Sequence, residues 1–189
     1  VRVFLVRHGE TDWNRERRLQ GRTDIPLNAT GLAQAEAAAR LLTGVDAVVS
    51  SPLARARRTG EIVARVLHLP APALDERLVE RCYGAKEGLT PAEVARTFPP
   101  GQPVPGLEPV EDLRARALAA LDDLSHQVPA DASVAVTTHG AVIRAVVTGV
   151  APGVADTLDV PIHNGSVHVF DWDARTDLRG LVEFGLVTV

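Results

Sequence analysis

The chain has 189 residues, 46% hydrophobic and 23% charged, with a formal net charge of −4. That length fits one domain burying roughly 70% of the surface its unfolded form exposes. The acidic balance argues against general binding of nucleic acid or a membrane surface. A lone cysteine, Cys82, permits no internal disulfide and points to a reducing compartment. The expectation is a single domain over residues 1–189, cytoplasmic, without a membrane segment or secretion leader. Arginine supplies every basic residue except Lys86 and crowds around Arg15 to Arg22 and Arg55 to Arg58, clusters that ordinarily form solvated faces.

In chain order, Val3 to Asn14 reads VFLVRHGETDWN, an apolar, β-branched run that predicts a buried parallel strand with Arg7 and His8 at its carboxyl end. Open α/β sheets bind ligands at such ends. Gly9 is read as letting the backbone approach whatever binds. Asp12 to Pro26 reads as a loop that keeps Asn14, Gln20 and Gly21 within reach of the strand end. Thr30 is the expected N-cap of a helix through Leu32, Ala35, Ala39 and Leu42, with Glu36 and Arg40 paired outside and Gly44 closing it. Val45 to Ser50 predicts a second buried strand. Ser51-Pro52 then predicts an N-cap and first helical residue, followed by a stripe of Leu53, Ala56, Gly60, Val63 and Leu67, with Arg55 off the stripe in the first turns.

From Leu69 to Pro109 periodicity is brief. Prolines crowd Phe98 to Pro109, so the segment around 89–109 reads as a cover over a site. Val110, Leu113, Ala117, Leu121 and Leu124 predict a long amphipathic helix, with Asp112 and Arg116 one turn apart. Ser133 to Thr138 predicts a third buried strand, ending at His139-Gly140 and running into a helix over Ala141 to Val147. Later strands are expected at Val160 to Ile162, Val167 to Trp172 and Leu181 to Val187, with turns at Asn164-Gly165 and around Asp173 to Asp177.

Strands joined by helices pack parallel, so Arg7 and His8, Arg55, and His139 should share one edge of the sheet. Two imidazoles and two guanidiniums there, with Asn14 nearby, suit a phosphoryl group. His68, His126, His163 and His168 lack that setting and read as core or surface residues. Metal binding is the competing use of strand-end histidines. The chain has neither an HExxH nor a paired-cysteine motif, and the arginines would repel a cation. A metal-free route has one histidine attack phosphorus to form a phosphohistidine, with arginines neutralising the oxygens and a carboxylic acid protonating the leaving alkoxide. Glu80 and Glu87, both in LVERCYGAKEGL, are the candidates; spacing alone does not choose between them.

These residues resemble the histidine phosphatase superfamily, the phosphoglycerate mutase-like fold, over nearly the whole chain. Arg7-His8-Gly9-Glu10-Thr11 is similar to the signature at the first strand, and Asn14 to the phosphate-pocket asparagine. Ser51-Pro52-Leu53 with Arg55-Ala56 is similar to the second motif, and His139-Gly140 to the second histidine motif. The resemblance implies a three-layer α/β/α sandwich with a mostly parallel sheet. It implies His8 as nucleophile, Glu80 as acid/base and His139 as electrostatic support. Arg7, Asn14, Arg55 and Gly140 would form the phosphate pocket, and Gln20 and Gly21 would line the substrate side.

Within the family, Glu80 to Ala85 is similar to the mutase pattern, except that Cys82 replaces a histidine. Pro91 stands where mutases carry a lysine, and Arg96 is the one arginine between Gly88 and Arg114. The expected function is therefore hydrolysis of small phosphorylated metabolites, without metal or cofactor. The alternatives are a mutase that needs 2,3-bisphosphoglycerate and a non-catalytic phosphate-binding module. The late strands offer an edge at which a second copy could pair as a homodimer.

Overall fold

The computed structural model describes residues 1–151, 153 and 161–187. A six-stranded sheet runs in the order β3-β2-β4-β1-β5-β6, with β1 Arg2–Arg7, β2 Ala47–Ser50, β3 Ala73–Leu74, β4 Ser133–Thr138, β5 Val167–Asp173 and β6 Leu178–Leu186. The β3-β2, β2-β4 and β4-β1 pairings are parallel, and β5 and β6 add antiparallel. The helices are α1 Asp12–Arg15, α2 Ala29–Leu41, α3 Ala54–Val66, α4 Pro91–Thr97, α5 Val110–Gln127 and α6 Gly140–Val150. This is the expected three-layer α/β fold. No helix among the described residues is long and apolar enough to cross a membrane.

The layering follows from alternation along β1. Val3 and Leu5 pack with Leu113 and Leu121 of α5 and Ile143 and Val146 of α6, while Phe4 and Val6 face Ala38 and Ala39 of α2 and Val63 of α3. β1 is buried on both faces because it lies between β4 and β5 with helices above and below. Its pattern is therefore a continuous apolar run rather than an alternating one.

Register then builds the site. Arg7 stands opposite Thr138 and Ser50 opposite Thr137, so the residues after each strand, His8, Ser51 and His139, emerge side by side. The last backbone bonds of the ladder hold them there, from His8 N–H to the Thr138 carbonyl at 2.9 Å and from Ser51 N–H to the Thr137 carbonyl at 3.0 Å.

Several local expectations are corrected. Asn28, not Thr30, caps α2, accepting from Gly31 N–H at 2.9 Å. That helix ends at Leu41, short of Gly44; Leu32 is exposed, and Glu36 pairs with Arg65 of α3 instead of Arg40. Leu53, not Ser51, is the N-cap of α3, so Pro52 lies outside the helix. Arg116 pairs with Glu108 rather than Asp112. The irregular stretch conceals α4, whose start is a Thr90–Glu93 capping box with Pro91 in its first turn. Of the strand expected at Val160 to Ile162, Val160 lies outside the described residues, and Pro161 and Ile162 are not in a strand. Gly9 serves packing: a Cβ there would sit 2.1 Å from the Gly31 carbonyl oxygen, so it admits the start of α2 instead of a ligand.

Candidate active site

A cavity of about 580 Å³ opens at the carboxyl edge of the parallel strands. Arg7, His8, Asn14, Gln20, Gly21, Arg55, Glu80 and Gly140 all line it, so sequence-predicted residues from five chain segments converge on one space. His139 is the exception. It is fully buried, and its ring meets that of His8 from outside the cavity lining. None of residues 89–109 is among the residues that line the cavity. That segment braces its neighbour instead: Leu107 bridges Tyr83, and Ala85 N–H donates to the Pro105 carbonyl at 2.9 Å.

His8 Nδ1–H donates to the Gly9 carbonyl at 2.7 Å. This fixes the tautomer and leaves the Nε2 lone pair for the cavity. Burial drives the His8 pKa well below its ordinary value, helped by the Arg55 and Arg7 charges, so the ring is neutral at pH 7. His139 is pushed down in the same way, by burial first and then by Arg55 and His8. Its Nε2 lies 2.8 Å from Ser51 Oγ, while its Nδ1 has no partner.

Arg55, fully buried in the first turn of α3, donates from Nη1 to the Thr23 carbonyl at 2.9 Å and from Nη2 to the Gly21 carbonyl at 2.7 Å. It thus shapes the 20–24 loop as well as charging the cavity. Arg7 donates from Nη1 to the Ile162 carbonyl. The Nε atoms of Arg7 and Arg55 are buried without acceptors, and Gln20 Oε1 is buried without a donor. Asn14 Oδ1 accepts from Thr11 N–H at 3.1 Å and from Asn164 Nδ2 at 3.2 Å, which leaves its amide NH₂ for a ligand. Native interiors rarely leave so many polar atoms unmatched in one place; an anion with several acceptor oxygens would satisfy the two Nε–H groups and the Asn14 amide.

The two carboxylates separate cleanly. Glu80 is buried at the start of α6, accepting from Arg81 N–H at 2.9 Å and Ala141 N–H at 3.5 Å. Burial raises its pKa against the pull of the Arg81 N–H and the Arg55 and Arg7 charges, which favours a protonated acid. Glu87 does not line the cavity. Burial would raise it too, but Thr23 Oγ1–H at 2.6 Å and the N–H groups of Arg22, Thr23 and Tyr83 hold it low. It is a clasp for the loop.

Spacing missed Asn164, whose Nδ2 donates to the His8 carbonyl at 3.0 Å; the Asn-Gly turn beside the end of β1 was its signal. It also missed that, among the described residues, seven arginines line the cavity against one carboxylate, Glu80. Among the described residues no group of three or more His, Cys, Asp or Glu could hold a metal.

The profile of the histidine phosphatase superfamily (branch 1) matches residues 3–179. Over 153 residues the chain is 41% identical to the uncharacterized phosphatase PhoE of Bacillus subtilis (strain 168), covering 80% of this chain and 78% of that one. It is 34% identical over 161 residues to the probable phosphoglycerate mutase GpmB of Klebsiella pneumoniae (strain 342), covering 78% and 74%. Among solved structures, a mycobacterial glucosyl-3-phosphoglycerate phosphatase complexed with VO3 superposes with a TM-score of 0.87 at 27% identity, over 97% of this chain and 98% of that one. The phosphoglycerate mutase of Thermus thermophilus superposes with a TM-score of 0.73 at 34% identity, over 100% of both chains.

Proposed function

Since this chain belongs to the histidine phosphatase superfamily (branch 1), we propose that it hydrolyses phosphomonoesters of small metabolites, without a metal, through a phosphohistidine on His8. The observation that carries this reading is the His8 Nδ1–H bond to the Gly9 carbonyl at 2.7 Å, in a ring held neutral by burial and two guanidiniums. A neutral imidazole with a fixed tautomer presents one lone pair at Nε2, directed at a phosphoryl group that Arg7, Arg55 and the Asn14 amide would hold.

In the first half-reaction the Nε2–P bond forms as the P–O ester bond breaks, and protonated Glu80 gives its proton to the leaving alkoxide. In the second, the Glu80 carboxylate takes a proton from water. The resulting oxygen nucleophile attacks phosphorus, and the P–N bond breaks to release phosphate and restore His8. His139, neutral and against His8, would give its ring N–H to the charge that builds on the phosphoryl oxygens.

The test is turnover of p-nitrophenyl phosphate in the presence of EDTA, with trapping of acid-labile phosphohistidine. His8→Ala should lose both turnover and label; turnover retained by that variant would overturn the reading. The surplus of cavity arginines favours a second reading, a mutase primed by 2,3-bisphosphoglycerate. Incubating 3-phosphoglycerate with catalytic bisphosphoglycerate separates the two, since hydrolysis releases inorganic phosphate and the mutase reaction yields the isomer.

A further inference from the structure

Glu80 stands outside every helix and strand, in a stretch from Val79 to Cys82 that no sheet ladder holds. A buried carboxyl that must meet a leaving oxygen needs its backbone fixed, so the partners of that backbone decide whether the acid is in place.

Those partners come from Arg116, in the second turn of α5, and from Glu108, which precedes that helix. Nη1 of Arg116 donates to the Arg77 carbonyl at 2.6 Å and the Val79 carbonyl at 2.7 Å, and Nη2 to the Glu80 carbonyl at 3.1 Å. Its other donors form a fork on Glu108, Nε to Oε1 at 2.7 Å and Nη2 to Oε2 at 3.0 Å, so every N–H of the guanidinium is used. Glu108 completes the grip. Its Oε2 accepts from Cys82 N–H at 3.0 Å, and its own N–H donates to the Cys82 carbonyl at 2.9 Å. The Leu78 carbonyl, which the pair does not reach, accepts from Thr138 Oγ1–H at 2.8 Å at the end of β4.

The backbone on both sides of Glu80 is therefore held by side chains, and neither Arg116 nor Glu108 lines the cavity. Both are largely buried, at 17% and 10% side-chain exposure. A planar fork can grip a carboxylate and three carbonyls at once, which an ammonium cannot copy. We propose that Arg116 and Glu108 are positioning residues that hold the Glu80 carboxyl in place, so that disturbing their geometry impairs proton transfer to the leaving group while sparing phosphate binding. This rests on the reading of Glu80 as the acid of a hydrolase.

Two variants test it. Arg116→Lys keeps the charge, which also acts on His139, and loses the fork. Glu108→Gln keeps an oxygen for Cys82 N–H and weakens the pair. Circular dichroism melts check that each is folded. Arg116→Lys should lower kcat/KM on propyl phosphate by about 10²-fold and on p-nitrophenyl phosphate far less, with inhibition by inorganic phosphate unchanged. In a Glu80→Gln background it should cost nothing further, because the two act as one unit. The Glu80 carboxyl is also titrated by NMR, its resonance assigned by loss in Glu80→Gln. Both variants should bring its midpoint down from the value that burial raises towards the ordinary carboxylate range, as water reaches the loosened segment. The Arg7 and Arg55 charges and the Tyr83 phenol also act on that carboxyl, and all remain. An equal loss on both esters, an additive loss in the Glu80→Gln background, or a midpoint unmoved in both variants would overturn the proposal. Wild-type turnover of p-nitrophenyl phosphate reports separately on the hydrolase reading, and the titration reports on the brace even in a protein that turns nothing over.

Discussion

The rings of His8 and His139 meet edge to face with centroids 5.2 Å apart and planes inclined by 60°, and Ser51 Oγ holds the far side of the second ring. Ser51 Oγ also accepts from Leu53 N–H at 3.3 Å, which ties the hydroxyl to the entry of α3 as well as to the ring. The other ring nitrogen of His139, Nδ1, is buried without a partner.

Ser51→Ala should therefore act through His139. Leaving a buried ring nitrogen unpaired costs about 1–3 kcal/mol and frees the tautomer. The expected result is a lower melting temperature together with a fall in kcat that exceeds any rise in KM, read from steady-state kinetics on an aryl phosphate. Ser51→Thr keeps the hydroxyl and should restore most of kcat.

Glu80 and Glu87 should separate by leaving group. Glu80→Gln is expected to slow alkyl phosphates by about 10²–10⁴-fold and aryl phosphates less, because a phenolate needs less help from an acid. It should also flatten the basic limb of the kcat/KM profile, which reflects loss of the proton from an acid whose pKa burial has raised. Glu87→Gln should leave the leaving-group dependence unchanged and instead destabilise the 21–23 loop by about 1–3 kcal/mol, measured by urea unfolding.

Gly9→Ala tests close packing. Its Cβ would stand 2.1 Å from the Gly31 carbonyl oxygen, and a Cβ on Gly31 would stand 2.1 Å from that of Glu10. Either alanine should lower stability by about 1–3 kcal/mol or more, with a loss of protection at the start of α2 in hydrogen exchange.

His168 sets part of the acid stability. It accepts from Gly185 N–H at 3.2 Å, lies 2.9 Å from Ser166 Oγ, and burial lowers its pKa to about 4. Below its unfolded value of 6.5 the unfolded chain binds a proton that the native state refuses. This contribution is therefore full above pH 6.5 and is lost as pH falls towards 4. His8 and His139 act in the same direction. His168→Gln should be less stable than the wild type at pH 7, with the gap narrowing by about 2 kcal/mol by about pH 4.5, measured from urea unfolding at both values.

Much of the site was legible because the three apolar runs around Leu5, Val48 and Val136 end abruptly in polar residues, and parallel pairing brings those ends together. Side chains that answer to distant partners were not legible. Ser51 followed by proline reads as a helix cap, but its hydroxyl is drawn to His139, 88 positions away. Glu80 and Glu87 are equivalent in composition; one lies under α6 and the other under the 21–23 loop, a difference that exists only after folding. Arg116 sits on a helix face whose spacing looks ordinary until α5 packs against the backbone of residues 77–80. Gly9 follows a histidine beside a ligand site and so suggests ligand approach, yet the backbone it admits belongs to Gly31.

The central place of β1 bears on biogenesis. Its neighbours β4 and β5 begin at Ser133 and Val167, so β1 is made well before both of the strands that flank it. A nascent chain that has not reached Ser133 holds an apolar strand with neither flank available, a topology that slows folding and leaves the intermediate open to chaperones or aggregation. His8 is thus synthesised before the strands that position it, and the cavity cannot assemble on the ribosome until β4 and β5 have followed.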